Sequence, residues 1–277
     1  MTVSDVHYWC EMAEAMAIRD MVVAVHEGGD RTLGAEWAEV GGAVAFGLRH
    51  VDDPFFNRVI GLGIPRRATR QDVANVDAFF RGLGNDWSVI QIAEDVAEPA
   101  ELVGWVEEGG WARGRRWPKL WRSLEGELPP ERANLPVRIE PVGPEHTDDF
   151  ERIVGAAFEM DAALPRLGAA AMGRRGWMHY LGFDGDEAVS AAALFVTADV
   201  AWLGFGATLE SHRGRGAQSA TFARRLADAR SLGCRLAITE TGEDTPEEPN
   251  PSYRNMLRAG FEVAYLRPNW VRRPAGP

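Results

Sequence analysis

The sequence predicts an α+β protein made of two similar halves, each a mixed, mostly antiparallel sheet flanked by helices. Three observations point there. An internal echo recurs at a fixed offset, three strands run in series around an Asp-Gly turn, and a glycine-rich loop opens a helix between two strands.

The echo is clearest where each half ends. Gly110 and Gly260, Trp111 and Phe261, Pro118 and Pro268, and Arg122 and Arg272 are each 150 positions apart. In both places a short helix stops at a glycine, which takes a left-handed cap without steric cost, and a large aromatic opens a strand. Upstream, Arg81-Gly82-Leu83-Gly84 matches Arg230-Ser231-Leu232-Gly233, and Gly61-Leu62-Gly63 matches Gly204-Phe205-Gly206. The proline-bearing stretch 128–136 reads as a linker between a first domain, 1–127, and a second, 137–277.

In the second half, Val137 to Glu140 alternates as a strand. Glu145 to Phe158 places Phe150, Ile153, Val154 and Ala157 on one helix face, and Asp161 to Met172 forms a looser second helix. Trp177–Phe183 and Ala188–Val196 flank Asp184-Gly185-Asp186, a hairpin turn, and Val200–Thr208 follows as a third strand. Gln218 to Leu232 is a helix with Phe222, Ala223, Leu226 and Ala229 inward and Arg224, Arg225 and Asp228 outward. Gly233 ends it. Leu236–Thr239 is a buried strand, Pro251–Ala259 a helix, and Phe261–Tyr265 the last strand.

Composition narrows the function. The 277 residues carry a net charge of −11, which opposes non-specific binding to nucleic acid and suits a soluble protein. No apolar run is long enough to span a bilayer, and the start, with Asp5, Glu11, Glu14 and Asp20, lacks the basic character of a secretory signal. Cys10 and Cys234 are too few for a disulfide scaffold, so a reducing cytoplasm is the expected compartment.

The loop Arg213-Gly214-Arg215-Gly216-Ala217-Gln218 carries the chemistry. Its glycines let backbone amides approach a ligand, and the helix behind it offers unpaired N–H groups at its positive end. That is a diphosphate site, with Arg213 and Arg215 adding charge-assisted contacts. A Walker loop would need Gly-Lys-Ser/Thr, whereas Ala-Gln-Ser follows Gly216. A dinucleotide fingerprint is nearer, with Glu240 ending the next strand. However, Ser219 replaces its third glycine and an antiparallel meander precedes the loop.

Thr208 through Gln218 resembles the acetyl-CoA loop of the GNAT acyltransferase superfamily, Arg/Gln-x-x-Gly-x-Gly/Ala. Arg213 and Gly216 match, and Gln218 stands where Gly or Ala is usual. Asn250-Pro251-Ser252-Tyr253 through Gly260-Phe261 resembles the family's later helix, one residue shorter. The resemblance implies tandem GNAT-like domains, the first degenerate, because no glycine lies between Gly63 and Gly82 to make a loop of this kind. It further implies acetyl-CoA as acyl donor, no metal, and a small-molecule amine as acceptor. Gly206, Ala207 and Thr208 would pair with the pantetheine arm, residues 213–218 would hold the pyrophosphate, and Asn250 and Ser252 would lie near the thioester. Gly206 also reads as a β-bulge.

An alkyl ammonium, with a pKa near ~10.4, adds about 4–5 kcal/mol to the barrier if it must first lose its proton at neutral pH. Glu240 is the candidate general base. The family's usual acid is a tyrosine four residues before the Gly-Phe glycine; here Met256 stands there, and Tyr253, one turn earlier, is the candidate. The carboxylates Glu240, Glu243, Asp244, Glu247 and Glu248 read as a solvated run or as an attractor of a polycationic amine. His179 or Tyr180 faces the acceptor. Trp105, Trp111, Trp117 and Trp121 read as core and interface mass, which leaves a homodimer open. The rival readings are a non-catalytic acyl-CoA-binding module, raised by Met256, and a nucleotide-dependent oxidoreductase, raised by the glycine loop.

Overall fold

The backbone gathers into two units, and the division does not follow chain order. The computed structural model describes residues 2–51, 53–85, 87–130, 137–159 and 163–273. One unit comprises Met1–Lys119, Glu240–Asn250 and Val263–Pro277; the other comprises Leu120–Thr239 and Pro251–Glu262. The halves expected from sequence, 1–127 and 137–277, would have kept the acidic loop and the last strand with the second. Of the expected linker 128–136, residues 131–136 lie outside the described set, as do residues 161 and 162 of the looser helix. Among the described residues no helix is long and apolar enough to cross a membrane.

In the first unit, α1 (Val3–Glu27) starts at a capping box between Thr2 and Asp5. The strands β1 (Ala35–Val40), β2 (Ala43–Leu48) and β3 (Asn57–Ile60) form an antiparallel meander. Helix α2 (Arg70–Leu83) buries Val73, Val76, Phe80 and Leu83 along one face. It crosses to β4 (Ser88–Gln91), parallel to β3. After α3 (Leu102–Glu108), the long strand β5 (Ala112–Ser123) begins. Between β4 and β5 lies β11 (Glu262–Arg272), the last strand of the chain, giving the order β1-β2-β3-β4-β11-β5. It runs antiparallel to β4, with Asn269 opposite Gln91 and Arg272 opposite Ser88. Trp270 of β11 joins Trp111, Phe80 and Ile90 in this unit's core.

Below that core a set of ions is buried. Arg267 of β11 contacts Glu11 at 3.0 Å and Glu14 at 2.8 Å, both on α1. Lys119 of β5 contacts Glu14 and Glu240, each at 2.8 Å. Arg58 lies 3.7 Å from Glu14, and the Tyr265 hydroxyl donates to Glu11 at 2.7 Å. Burial pushes the Glu14 carboxyl up, but Arg267, Lys119 and Arg58 outweigh it and hold it down at about 2.

In the second unit the order is β10-β9-β8-β7-β6. Here β6 (Arg138–Val142), β7 (Trp177–Asp184), β8 (Glu187–Thr197) and β9 (Val200–Thr208) are successively antiparallel, and β10 (Leu236–Glu240) is parallel to β9. The expected Asp-Gly hairpin is present, with Gly185 at φ 61°. Helix α6 (Ala217–Ser231) packs Phe222, Leu226 and Ala229 against Tyr180, Leu194, Ala201 and Leu203 on one face of the sheet. Strand alternation sends Trp177, His179, Phe195 and Trp202 to the other face. There α4 (Thr147–Phe158) sets Phe150 against His179, and α5 (Ala163–Ala169) lies beside α4. Helix α7 (Pro251–Arg258) closes the α6 side with Met256 buried in the core.

Removing one member of a buried ion set strands its partners. Glu14→Gln is expected to lower unfolding free energy by about 3–5 kcal/mol near neutral pH. Because the folded pKa of Glu14 is depressed, its contribution is complete above the unfolded value of 4.5 and drains as pH falls toward about 2. Urea denaturation of both proteins as a function of pH would show the gap closing on the acid side.

Candidate functional site

The parallel strands β9 and β10 pair only over a short stretch. Their register runs from Leu236 opposite Val200 to Ile238 opposite Trp202. Beyond it β9 continues to Thr208, and among the described residues no β10 residue pairs with Leu203–Thr208. At the point of parting the Thr239 hydroxyl donates to the Leu203 carbonyl at 2.8 Å, a side chain standing in for the ladder.

On its other edge β9 is bulged. Ala193 faces Gly204 and Ala191 faces Ala207, so Phe205 and Gly206 together oppose Ala192. The bulge read at Gly206 is therefore real, and it turns on Phe205, whose φ is 55°. Gly204 is required beside it: a Cβ there would fall 2.1 Å from the Trp202 ring.

Arg225 of α6 pins the bulge from beneath. Its guanidinium donates to the carbonyls of Ala193 at 3.0 Å and Gly204 at 3.1 Å. Sequence periodicity placed Arg225 outward; it is buried, because the bulge leaves carbonyls that need a donor. Burial lowers its pKa to about 10, which still leaves it charged at neutral pH. The spacing of Phe222, Arg225 and Ala229 along the inward stripe was the available signal. Arg224 and Asp228 pair with each other at 2.9 Å and are half-buried.

From β9 the chain passes through a short turn at Glu210–His212 into the glycine loop. Gly214 and Gly216 have φ of 76° and 86°, and Gly216 caps α6 with no side-chain hydrogen bond. Among the described residues the amides of Gly214 through Ser219 donate to no backbone carbonyl. Arg213 and Arg215 are exposed on this loop, Arg215 lying 3.5 Å from Asp184. Gln218, where the family pattern has Gly or Ala, turns its side chain to α7. It donates to the Ser252 hydroxyl at 2.8 Å and accepts from Asn255, a residue that sequence reading missed. Gly206, Ala207, Thr208, residues 213–218 and Ser252 thus all lie in the second unit.

The matching helix of the first unit is closed at its start. Thr69 and Asp72 form a capping box at α2, Arg66 pairs with Asp72 at 2.8 Å, and the Ala68 amide donates to the Glu98 carbonyl at 2.8 Å. Here a carboxylate of the chain itself occupies the helix's positive end.

The remaining candidates belong to several settings. Glu240 ends β10 and pairs with buried Lys119; burial first, then the neighbouring charge of Glu14, raises its pKa. Glu243 pairs with Arg116, Glu248 with Arg115, and Asp244 accepts from the Asn250 amide, so most of the acidic run is tied down. The Asn250 side chain donates within the same loop, to Thr241 at 3.0 Å and the Gly242 carbonyl at 2.7 Å. Tyr253 is half-buried on α7 against the second unit's core. Tyr180 faces α6, where its hydroxyl donates to Asp228 at 2.9 Å, and His179 faces α4 and α5. The Gly168 carbonyl accepts from His179 Nε2 at 3.0 Å, and Nδ1 is buried without a partner among the described residues. Lys119, Glu14 and Arg58, which set the surroundings of Glu240, carried no periodic signal in the sequence.

No family model and no curated protein matches this sequence. Solved structures do match it. A GCN5-related N-acetyltransferase from Kribbella flavida aligns over 95% of this chain and 97% of its own, at 22% identity and TM-score 0.63. One from Sphaerobacter thermophilus aligns over 87% and 83%, at 14% identity and TM-score 0.59. A tandem GNAT protein from the clavulanic acid biosynthesis pathway aligns over 85% and 79%, at 16% identity and TM-score 0.58. This chain has the tandem GNAT fold. At these identities the likeness carries architecture, and in that architecture the parted strands and the uncapped helix are features of the second GNAT-like unit.

One electrostatic consequence can be checked within that unit. Burial lowers the His179 pKa to about 4, with the Gly168 carbonyl opposing it weakly. Its ring resonances are expected to stay fixed from about pH 8 to about pH 5, as the neutral Nε2–H tautomer. An NMR titration reporting a midpoint near ~6.5 would contradict the packing described.

Proposed function

We propose that the second unit binds acetyl-CoA and transfers its acyl group to the amine of a small molecule. One observation supports this above the others: the parting of β9 from β10 leads directly to an uncapped helix start. The amides of residues 214–218, with Arg213 and Arg215, suit a pyrophosphate. The open β9 edge at Gly206, Ala207 and Thr208 suits the amide groups of a pantetheine arm, which would add to β9 in place of β10. The first unit, whose α2 is capped by Asp72, takes no donor in this reading.

The chemistry follows from the acceptor's protonation. An ammonium must lose a proton before nitrogen attacks the thioester carbonyl; Glu240, with its raised pKa, is the proposed base. As the tetrahedral intermediate collapses the C–S bond breaks, and the thiolate takes a proton, for which Tyr253 is the proposed donor. Asn250 keeps a supporting role in closing the loop 240–250. The buried free cysteines suit a cytoplasmic setting. A second reading, an acyl-CoA-binding module without turnover, is favoured by one feature: Met256, at the usual acid position, is buried in the core.

Thermal unfolding with acetyl-CoA, free CoA, NAD and ATP tests the donor. At ~100 times the dissociation constant the CoA species should add about 2.7 kcal/mol, and Gly216→Val should abolish that gain. No CoA effect would defeat the proposal, and stabilisation by NAD alone would favour the oxidoreductase. Glu240→Gln and Tyr253→Phe are expected to keep CoA binding while lowering turnover on an amine panel by about 10²-fold or more. Undiminished turnover removes the role from that residue. CoA binding with no turnover across the panel selects the binding module.

A further inference from the structure

Phe205 sits on the wrong face of its strand. By alternation it belongs with Ala201 and Leu203 on the α6 side. Its ring instead lies 5.8 Å from Phe150 and 6.2 Å from Trp202, both on the α4 and α5 side. The left-handed backbone at φ 55° makes this switch, in a conformation that is strained for an aromatic residue. The surroundings are cut to receive the ring. A Cβ on Gly168 of α5 would fall 2.7 Å from Phe205 and 3.2 Å from Phe150, so only glycine leaves the space.

The wall behind the ring is aromatic and uncharged. Trp177, Phe195, Trp202 and Phe150 are buried, Trp177 stacks on His179, and His179 is held neutral by its burial. Of these rings Phe205 is the one that remains half-exposed, and it adjoins Gly206 at the open edge of β9. Strain maintained at a binding edge, with a glycine on another element to accommodate it, marks a placed side chain rather than a packing accident.

We infer that Phe205 sets the length of the acyl group that the second unit accepts, admitting acetyl and rejecting longer chains. The inference rests on the donor reading above. An arm entering from the α6 loop and following β9 back toward the parting carries its thioester to the bulge. There the acyl chain meets the Phe205 ring, which occupies the apolar space a longer chain would need. The occupant is apolar by chemistry, because these rings offer no charge to a carboxylate or an ammonium.

Calorimetry with free CoA, acetyl-CoA and hexanoyl-CoA tests this without knowledge of the acceptor. The unaltered protein should bind acetyl-CoA at least ~10-fold more tightly than hexanoyl-CoA. Phe205→Gly, which relieves the backbone strain and removes the ring, should erase or reverse that preference while free CoA binds as before. Gly168→Ala should push the ring outward and weaken acetyl-CoA relative to free CoA. Equal affinity for both thioesters in the unaltered protein, or the same preference in all three proteins, overturns the inference and leaves the donor site standing. Failure of free CoA to bind any of them overturns the donor reading, and this inference with it.

Discussion

A parallel pair of strands that separates leaves peptide groups without partners, and the second unit is organised around that constraint. Buried backbone groups must be paired, or each costs about 1–3 kcal/mol. Past Trp202 the sheet cannot supply the partners. Thr239 donates one hydroxyl to the edge, Arg225 brings a buried guanidinium under the bulge, and Gly204 gives up its side chain for the Trp202 ring. These devices use different chemistry: Thr239 bridges the point of parting, while Arg225 and Gly204 fix the bulge on the β8 edge of the same strand. Arg225 is the most expensive of them, a full charge satisfied by neutral carbonyls, and its burial indicates how firmly the bulge is fixed.

The first unit meets a different demand. It buries Arg58, Lys119 and Arg267 against Glu11, Glu14 and Glu240, so that each charge has an opposite neighbour. Such a set holds its strands to α1 less by net attraction than by the penalty of leaving any member alone. Where the second unit exposes amides at a helix start, the first covers its own with Thr69, Asp72 and Arg66. One architecture thus appears twice, once with its helix end open and once closed by a carboxylate.

Much of this was legible in sequence, for reasons that differ by element. The hairpin around Gly185, the amphipathic α4 and the glycine loop before α6 follow from local rules, and their periodicity survives folding unchanged. The fold followed from the echo, because residues that end elements, Gly110 and Gly260 above all, are restricted by backbone conformation. Arg225 was misplaced because periodicity assigns a charged side chain to solvent unless a partner is visible, and its partners are carbonyls, which sequence does not display. The buried ions escaped notice because Glu14, Lys119 and Arg267 meet only through tertiary structure. The destination of the last strand was hidden too, since its partners on β4 are distant in sequence and meet it only in the folded chain.

That strand has a consequence for how the protein is made. Gln91 waits for Asn269, and Glu11 and Glu14 wait for Arg267, so the first unit is completed by residues made after every strand of the second. A nascent chain ending near residue 128 leaves Glu11 of α1 without Arg267 and Tyr265 and β4 without β11, features that invite association with other chains. Synthesis order and folding order are therefore decoupled: the first unit is begun before the second and completed after the second unit's strands are made. A gene split at residue 128 would leave the first fragment short of one strand of its sheet, β11, and the second carrying that strand beyond the five of its own.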